Sequence, residues 1–474
     1  MPGQFGNVRI PGAVSVVDAS GLTVTGLTSV GVIGVVGIST AGDPDTVYKF
    51  SNSSEAVNAL QGGALLDVIR AAYAGGAQEV YAVRVGNPAR AACVIGKTAN
   101  PDILTLTSKG YGSAFNDLEV LVDSGGGTNK RTITIKLENN FYSVFEIYPD
   151  YTTATGLSAA ITAQSAVVTA ANDGSADLPD VLADYVSFSG GSDGSRSVLE
   201  VADGFQLLLP QDVDLILLDT ADDTYHALAL AHCIEASNAL NRSERICILG
   251  LPSGNAVADY TAQAAALANK RAVLVAPCGY TPDFGIGDTT TSLKDGHIIA
   301  AVVAGAIAGL PDVAEPLTKK PVPFVTQLEV DYTNGELGTL IDGKVLAVAR
   351  RREGQSVVKQ LTTSGSTDFE EISVVRTVDY IMKDLRNGAD QLFVGKKGTR
   401  NFLSSLKGWA KGKLSQYVSQ DLLVQYVETS VTAEFLVDNQ KWVNLSFGAV
   451  PVQPVNNIGI KGAFSTLYNF SALV

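Results

Sequence analysis

The residues most suggestive of chemistry lie at positions 91–98, where AACVIGKT fits the loose pattern of a phosphate-binding loop. A second segment, LILLD at 215–219, ends in an aspartate that could bind magnesium. A phosphate-binding loop needs flexible glycines and a helix directly after it, so that backbone amides face the phosphates. Here the loop is Ala-Cys-Val-Ile, and Ala-Asn-Pro and a strand-like run follow Thr98. A P-loop-like, nucleotide-dependent α/β enzyme is therefore one possible interpretation of this chain, but the residues of the loop argue against it.

A glycine pattern offers a second candidate nucleotide site. Gly31, Gly34 and Gly37 give GxxGxxG within a predicted strand. Dinucleotide-binding loops carry GxGxxG after the strand has ended. We therefore interpret these glycines as positions of close packing.

Metal ligands and nucleophiles are equally scarce. Asp222, Asp223, His226 and His232 could be proposed as metal ligands, but the two histidines are six positions apart and do not share a helical face. The remaining histidine, His297, lies in no nucleophile motif. We predict no catalytic, cofactor-binding or metal-binding residues, and therefore no enzyme.

A basic segment stands out in a chain that is acidic overall. Residues 391–420 contain six basic side chains and no acidic one: Lys396, Lys397, Arg400, Lys407, Lys411 and Lys413. On a helix, Arg400, Lys407 and Lys411 fall within about 40° of each other, while Leu403, Leu406, Ala410 and Tyr417 gather on another side. The basic stripe is either an ordinary solvated face or a docking surface for an acidic partner.

Composition limits the kinds of partner. The 474 residues carry a formal charge of −14, which should repel nucleic acid and anionic lipid. With 46% hydrophobic and 17% charged residues, the chain should fold into two to four domains. The four cysteines have no CxxC pair and suit reduced thiols. The start, MPGQFGNVRIPG, lacks a signal-peptide pattern, so we expect synthesis and retention in the cytosol.

The apolar segment HIIAAVVAGAIAGL at 297–310 is shorter than the roughly 20 residues of a membrane span, which predicts a buried helix and no membrane insertion. Elsewhere, strands and helices alternate in residues 21–90 and 196–365, which predicts an α/β core with a mostly parallel sheet covered by helices. The predicted elements include a helix over 222–240 and a strand over 272–276. Residues 91–195, rich in Thr, Ser, Gly and Asp, predict an inserted, mostly-β domain. Residues 366–454 form the last domain, with helices predicted near 369–385 and 400–417 and two strands after them.

Both ends of the chain are strand-like and poorly satisfied on their own. Residues 1–20 are rich in Gly, Pro and Val, and residues 455–474 alternate apolar and polar side chains. Such segments suit β-strand addition to another chain. We predict that these two arms form subunit interfaces through the apolar residues Val8, Ile10, Val14, Val16, Val455, Ile458, Ile460 and Phe464.

Six phrases in order resemble the contractile tail sheath family of myovirus tails, related bacteriocins and contractile injection systems. They are GVVGISTAGDP with YKFSNSSEAVNALQG, AAYAGGAQEVYAVRV, KGYGSAFNDLEV, FSGGSDG, ISVVRTVDYI and VPVQPVNNIGIKGAF. The chain departs from the family at Val375-Arg376, where the family usually has two arginines. Residues 279–325 also match poorly, which leaves their loops and contacts open.

The resemblance implies a structural subunit that polymerises helically around an inner tube and contracts to drive the tube through a target cell envelope. It also implies partners: further copies of the chain, the tube protein, and baseplate and tail terminator proteins. The location would be a virion tail or injection particle assembled in the host cytoplasm. We expect the basic residues Lys396, Lys397, Arg400, Lys407 and Lys411 to face the tube. A surface-layer or capsid component remains a third possibility.

Overall fold

The computed structural model describes residues 31–459, apart from 128, 139–142, 175–176, 239–240, 284–289 and 437–438. The helices are α1 (Ser53–Leu60), α2 (Ala64–Gly75), α3 (Ala154–Gln164), α4 (Val198–Leu208), α5 (His226–Ala236), α6 (Val257–Leu267), α7 (Gly296–Ala308), α8 (Asn334–Asp342), α9 (Ile372–Phe393) and α10 (Arg400–Ser419).

The strands belong to five sheets. They are β1 (Ile33–Gly37), β2 (Val47–Phe50), β3 (Val80–Arg84), β4 (Ala92–Lys97), β5 (Asn100–Ser108), β6 (Leu118–Ser124), β7 (Arg131–Glu138), β8 (Ser143–Tyr151), β9 (Val168–Asn172), β10 (Val186–Ser187), β11 (Leu215–Leu218), β12 (Ile246–Gly250), β13 (Ala272–Ala276), β14 (Gly279–Pro282), β15 (Thr291–Lys294), β16 (Gln327–Leu328), β17 (Leu346–Arg351), β18 (Gly354–Val357), β19 (Leu423–Leu436) and β20 (Asn439–Pro451).

The core is an eight-stranded sheet in the order β18-β17-β13-β12-β11-β1-β3-β2. The six central strands are parallel, and β18 and β2 pair antiparallel at the two ends. One face packs on α1, α2, α7 and the start of α9, and the other on α4, α5, α6 and α8. Burial on both faces explains why these strands are continuous apolar runs. The predicted α/β fold class is confirmed.

Helix α7 is the buried helix that the apolar run predicts, and almost every residue in it is inaccessible to solvent. It crosses α2 so closely that a Cβ on Gly305 would lie 2.1 Å from the carbonyl oxygen of Ala72. A Cβ on Gly75 would meet Val302 in the same way, at 2.2 Å. Glycine at both positions allows the two backbones to touch. Among the described residues, none of the helices is both long and apolar enough to cross a bilayer.

Residues between β3 and α4 form a separate, mostly-β body. It contains the sheet β10-β6-β7-β8, the sheet β4-β5-β9 and the helix α3. These elements share a hydrophobic cluster that is distinct from the two clusters of the core sheet. The chain enters and leaves this body at neighbouring positions, where the amide of Ala89 donates to the carbonyl of Ser192 at 2.9 Å.

The last part of the chain packs α9 and α10 against the antiparallel pair β19 and β20. Helix α9 extends to Phe393, eight residues beyond the predicted end at 385. The helix predicted over 222–240 is shorter, because a 3-10 turn at Asp223–Tyr225 precedes α5. Another difference lies in the poorly matching stretch, where β14, β15 and β16 form a small sheet that the sequence did not predict.

Candidate assembly surface

The residues that fit the phosphate-loop pattern do not form such a loop. Residues 92–97 are strand β4, which pairs antiparallel with β5, and the chain turns directly from one strand into the other. Lys97 pairs with Asp177 at 3.3 Å, and the amide of Thr98 donates to Asp180 at 3.2 Å. A strand hairpin offers no helix N-terminus to a phosphate.

The other half of the proposed nucleotide site is also occupied by protein. β1 lies between β3 and β11, so the order of the strands reverses there, and such a point is where α/β folds usually bind ligands. The buried carboxylate of Asp219 follows β11 and pairs with Arg196 at 2.5 Å. It also accepts from the amide of Ile38 at 2.7 Å. A Cβ on Gly37 would lie 2.3 Å from this carboxyl group, so this glycine serves close packing, as predicted.

The histidines pack inside the core sheet's helical layer. Nε2 of His232 lies 2.7 Å from Nη1 of Arg245, which is always a donor, so this nitrogen accepts. The Nδ1 atom of His226 lies 3.1 Å from Nε2 of Gln263. In the part of the chain that the structure describes, no three His, Cys, Asp or Glu side chains are grouped to hold a metal ion. The cysteines Cys93, Cys233, Cys247 and Cys278 are buried free thiols.

Helix α9 connects the core to the C-terminal part through two different faces. Its charged face meets residues that directly precede three core strands. Asp379 binds both guanidinium nitrogens of Arg271, Lys383 contacts Asp212 and Asp214, and Arg386 pairs with Glu244. The opposite face buries Ile381 and Leu385 against α10 and β19. Val375, where the family usually has an arginine, is buried in the main core cluster.

Helix α10 has the predicted basic and buried stripes. Leu406, Ala410, Leu414 and Tyr417 are buried, and Leu403 is half-buried. Among the basic residues, Lys396, Lys397 and Arg400 are exposed, and Lys407 is half-buried.

Two lysines of this helix are already paired. Lys411 contacts Glu428 of β19 at 2.6 Å, and this lysine holds the pKa of the Glu428 carboxyl below its usual value. Lys413 contacts Asp384 of α9 at 3.0 Å. The free positive charge therefore lies at the start of α10 and just before it.

The pair β19–β20 forms a sheet of only two strands, so each strand keeps one edge without a partner among the described residues. Open edges present unpaired backbone amides and carbonyls. An apolar groove of about 440 Å³ runs between α9 and this sheet. Its lining includes Ile381, Met382, Leu423, Leu445, Phe447 and Ala449. The sequence predicts both strands. It does not predict that they pair only with each other among the described residues, because strand pairing depends on tertiary contacts that local sequence does not reveal.

The first described residue, Gly31, and Asn456, near the last one, both lie beside α9. Gly31 lines a small cavity together with Arg376 and Asp379, and the side-chain amide of Asn456 donates to Glu371 at 2.9 Å. On either side of Asn456, Val455 and Ile458 are 77% and 80% exposed. The predicted arm residues Val8, Ile10, Val14, Val16, Ile460 and Phe464 lie outside the described residues. Sequence reasoning also missed the exposed run Arg350–Arg352, although three consecutive arginines in an acidic chain were a visible signal.

Both a family model and individual tail sheath proteins match this chain in sequence. Residues 364–465 match the family model of the phage tail sheath C-terminal domain. Over 302 residues the chain is 28% identical to the tail sheath protein of Bacillus phage SP01, a match that covers 61% of this chain and 51% of the relative. This chain thus spans about half the length of that relative.

Solved structures show the same fold. The sheath tail protein of Desulfitobacterium hafniense superposes with a TM-score of 0.67 at 16% identity, covering 90% of this chain and 97% of that one. The helical sheath of the anti-feeding prophage in its contracted state gives 0.52 at 13% identity, covering 96% and 99%. The resemblance to contractile tail sheath proteins is confirmed.

Proposed function

We propose that this chain, whose fold is that of solved tail sheath proteins, is a structural subunit of a contractile tail sheath. It polymerises helically around an inner tube and contracts to drive that tube through a target cell envelope. The observation that carries the proposal is the two-stranded sheet β19–β20, which has two open edges within the matched C-terminal domain. Such a sheet is built to receive strands from other chains.

The donors of those strands are the two arms of neighbouring copies. Main-chain hydrogen bonds to the open edges of β19 and β20 link the copies, and alternate side chains set the register. The apolar groove beside Met382 receives the inward-facing side chains of an arm. An extended arm of about 20 residues reaches some 65 Å, enough to bridge adjacent copies.

Contraction uses rigid bodies joined by these arms. The copies make head-to-tail contacts that do not close on themselves, which produces a helix. The cores then rotate into tighter contact while the arms remain bound. Each 100 Å² of apolar surface newly buried between copies contributes roughly 2.5 kcal/mol. Summed over many copies, this burial drives the tube forward.

The remaining partners follow from the same role. The exposed basic group Lys396, Lys397 and Arg400, with Lys407 behind it, faces an acidic inner tube. Baseplate and terminator proteins bind the two ends of the polymer. The particle is a phage tail or an injection particle, assembled in the host cytoplasm. This role requires no catalysis, cofactor, nucleic acid or membrane insertion, and a nucleotide titration of the purified protein is expected to show no binding.

Removing the arms tests the proposal. A chain without residues 1–20, and a second without residues 455–474, should each remain folded by circular dichroism, because the described core is formed without residues 1–20 and holds residues 455–459, which are mostly exposed, through the hydrogen bond from Asn456 to Glu371. Neither should form tubes by electron microscopy, whereas the full chain should form striated tubes. The full chain with Lys49→Ala and Lys130→Ala, two changes on other surfaces, is the control and should form normal tubes. Normal tubes from both truncated chains would contradict the arm model.

A further inference from the structure

A strongly basic hairpin projects from one end of the core sheet. β17 ends at Arg351 and β18 begins at Gly354, and these two residues are opposite each other, so the turn consists of Arg352 and Glu353. Gly354 has φ of 121°, a conformation that glycine adopts without strain. Arg350, Arg351 and Arg352 are all exposed, and the last two line a cleft of about 460 Å³ together with Lys319.

Most of this charge has no counterpart nearby. Arg350 lies 3.8 Å from Asp331, and both side chains are largely exposed, so this pair is weak. Within the described ranges, Arg351 and Arg352 have no ion pair. The turn also carries Glu353, so three arginines against one carboxylate leave the hairpin tip with a net positive charge. Their position in a chain of net charge −14 is therefore unexpected for a surface that faces only solvent.

A complementary surface exists on the same molecule. A crevice of about 370 Å³ lies beyond the carboxyl ends of β11 and β12 and is lined by Asp222, Asp223 and Asp295. Asp222 accepts from the amide of Thr224 at 3.0 Å, and Asp295 accepts from the amide of Ser253 at 2.8 Å.

The crevice keeps its negative charge. Arg196, the cation near it, is engaged by Asp219 at 2.5 Å. No ion pair of the three crevice aspartates occurs in the part of the chain described by the structure. Three carboxylates thus remain available to a cation.

The hairpin cannot reach its own crevice. Parallel strands place both features at the same edge of the sheet, but β17 is separated from β11 by β13 and β12. The crevice at the ends of β12 and β11 thus lies two to three strand spacings from the hairpin, about 9–14 Å, which exceeds the reach of an arginine side chain. The arginines and the crevice therefore remain apart within one copy and are both available to others.

We propose that Arg351 and Arg352 of one copy dock into the Asp222–Asp223–Asp295 crevice of a neighbouring copy. The inference rests on the proposed function, because polymerisation brings copies side by side. The contact is heterologous, with a different surface from each copy, and such contacts propagate along a polymer. Guanidinium groups bind carboxylates through paired hydrogen bonds, so the contact also fixes orientation.

Charge reversal in two separate variants tests the contact. One variant carries Arg351→Glu and Arg352→Glu, and the other carries Asp223→Lys at an exposed position. Each variant alone should raise the critical concentration for tube formation by about tenfold. An equal mixture should restore assembly, because alternating copies then place glutamate against lysine and arginine against aspartate. Normal assembly of either variant alone, or no recovery in the mixture, would overturn the proposal.

Cysteine cross-linking separates this contact from the proposed function. A chain with Arg352→Cys is mixed with a chain carrying Asp223→Cys, while the four native thiols stay buried. With added oxidised glutathione as the oxidant, a disulfide-linked dimer should form in the mixture, and its yield should be lower at high salt. Wild-type chains that form no tubes would refute the sheath proposal, and the cross-link would still decide the contact. Tubes without the cross-link would refute the contact alone. If the hairpin instead binds another anion, the arginine variant alone fails and the aspartate variant assembles normally.

Discussion

At the scale of single residues, the three histidines are held neutral by their surroundings. Burial lowers the pKa of His226 to about 4 and that of His297 to about 4. Burial, followed by the charge of Arg245, lowers the pKa of His232 to about 3. The ring of His232 stacks on Phe205, with centroids 4.8 Å apart. A proton therefore binds these side chains more readily in the unfolded chain.

The folded state should consequently lose stability as the pH falls. The contribution of a neutral buried histidine is complete above pH 6.5 and disappears as the pH falls towards its folded pKa. For His232, moving from about pH 7.5 to about pH 5 should lower the free energy of unfolding by about 2 kcal/mol. Urea unfolding at both pH values measures this change.

The variant His232→Gln is the matched control. Its side-chain oxygen can accept the hydrogen bond from Arg245 but does not titrate. The dependence on pH should therefore decrease by about the same 2 kcal/mol. An unchanged dependence in this variant would show that His232 is not kept neutral.

Some residues could be identified from sequence and others could not. The glycines at 31, 34 and 37 were correctly assigned to close packing, because their pattern lies inside a strand. Arg245, in contrast, is fully buried and donates to the carbonyls of Leu208, Leu209 and Gln211. Its guanidinium group thus supplies hydrogen-bond donors to carbonyls at the C-terminal end of α4, which is distant in sequence. Buried cations of this kind depend on tertiary contacts that no local pattern records.

At the scale of elements, α10 is where the proposed tube contact is tested. Changing Lys396, Lys397 and Arg400 to glutamate should leave the fold intact, because all three side chains are exposed. If this group binds an acidic tube, co-assembly with the tube should fall by at least tenfold, with the loss greatest at low salt. Sedimentation of sheath with purified tube measures the effect.

A second reversal keeps that test specific. Lys49→Glu, Lys130→Glu and Lys319→Glu reverse three lysines on other parts of the molecule, so the total charge changes by the same amount. This variant should bind the tube normally. Equal loss in both variants would assign the effect to net charge, and normal binding by the α10 variant would contradict the tube contact.

Element types followed closely from sequence where periodicity was strong. β13 occupies the predicted residues Ala272–Ala276, and α10 begins at Arg400 as predicted. The apolar face of α9 continues after 385, where its hydrophobic contacts to α10 maintain the helix to Phe393. Tertiary packing sets such ends, so local sequence does not reveal them.

At the scale of the whole molecule, the body formed by β4 to β10 is joined to the core where the chain enters and leaves it and through contacts of Tyr111 with Arg84 and of Ala114 with Thr40. Its entry and exit are bridged by the pair Ala89 and Ser192, and its apolar side chains form their own cluster. Replacing residues 90–191 with a short turn should therefore leave the core folded. We expect a loss of about 1–3 kcal/mol, chiefly because Arg84 loses its contact with the carbonyl of Tyr111.

Thermal unfolding and electron microscopy measure the outcome of this excision. The shortened chain should still form tubes, because the arms and β19–β20 are retained. A cut of similar kind through residues 196–275 removes β11, β12 and β13 and should abolish folding. An unfolded product from the first cut would show that the mostly-β body is integral to the core.

The two faces of α9 give the molecule a preferred plane of separation. The beginning of the helix is fixed in the core by Ile372 and Val375, whereas its later turns are attached through ions. Added salt weakens ionic contacts and strengthens apolar ones. Rising ionic strength therefore loosens the far end of α9 from the core while tightening its grip on the C-terminal sheet. Residue 372 should therefore stay fixed in the core by apolar contacts, while the ionic contacts near residue 386 are the ones that added salt should weaken.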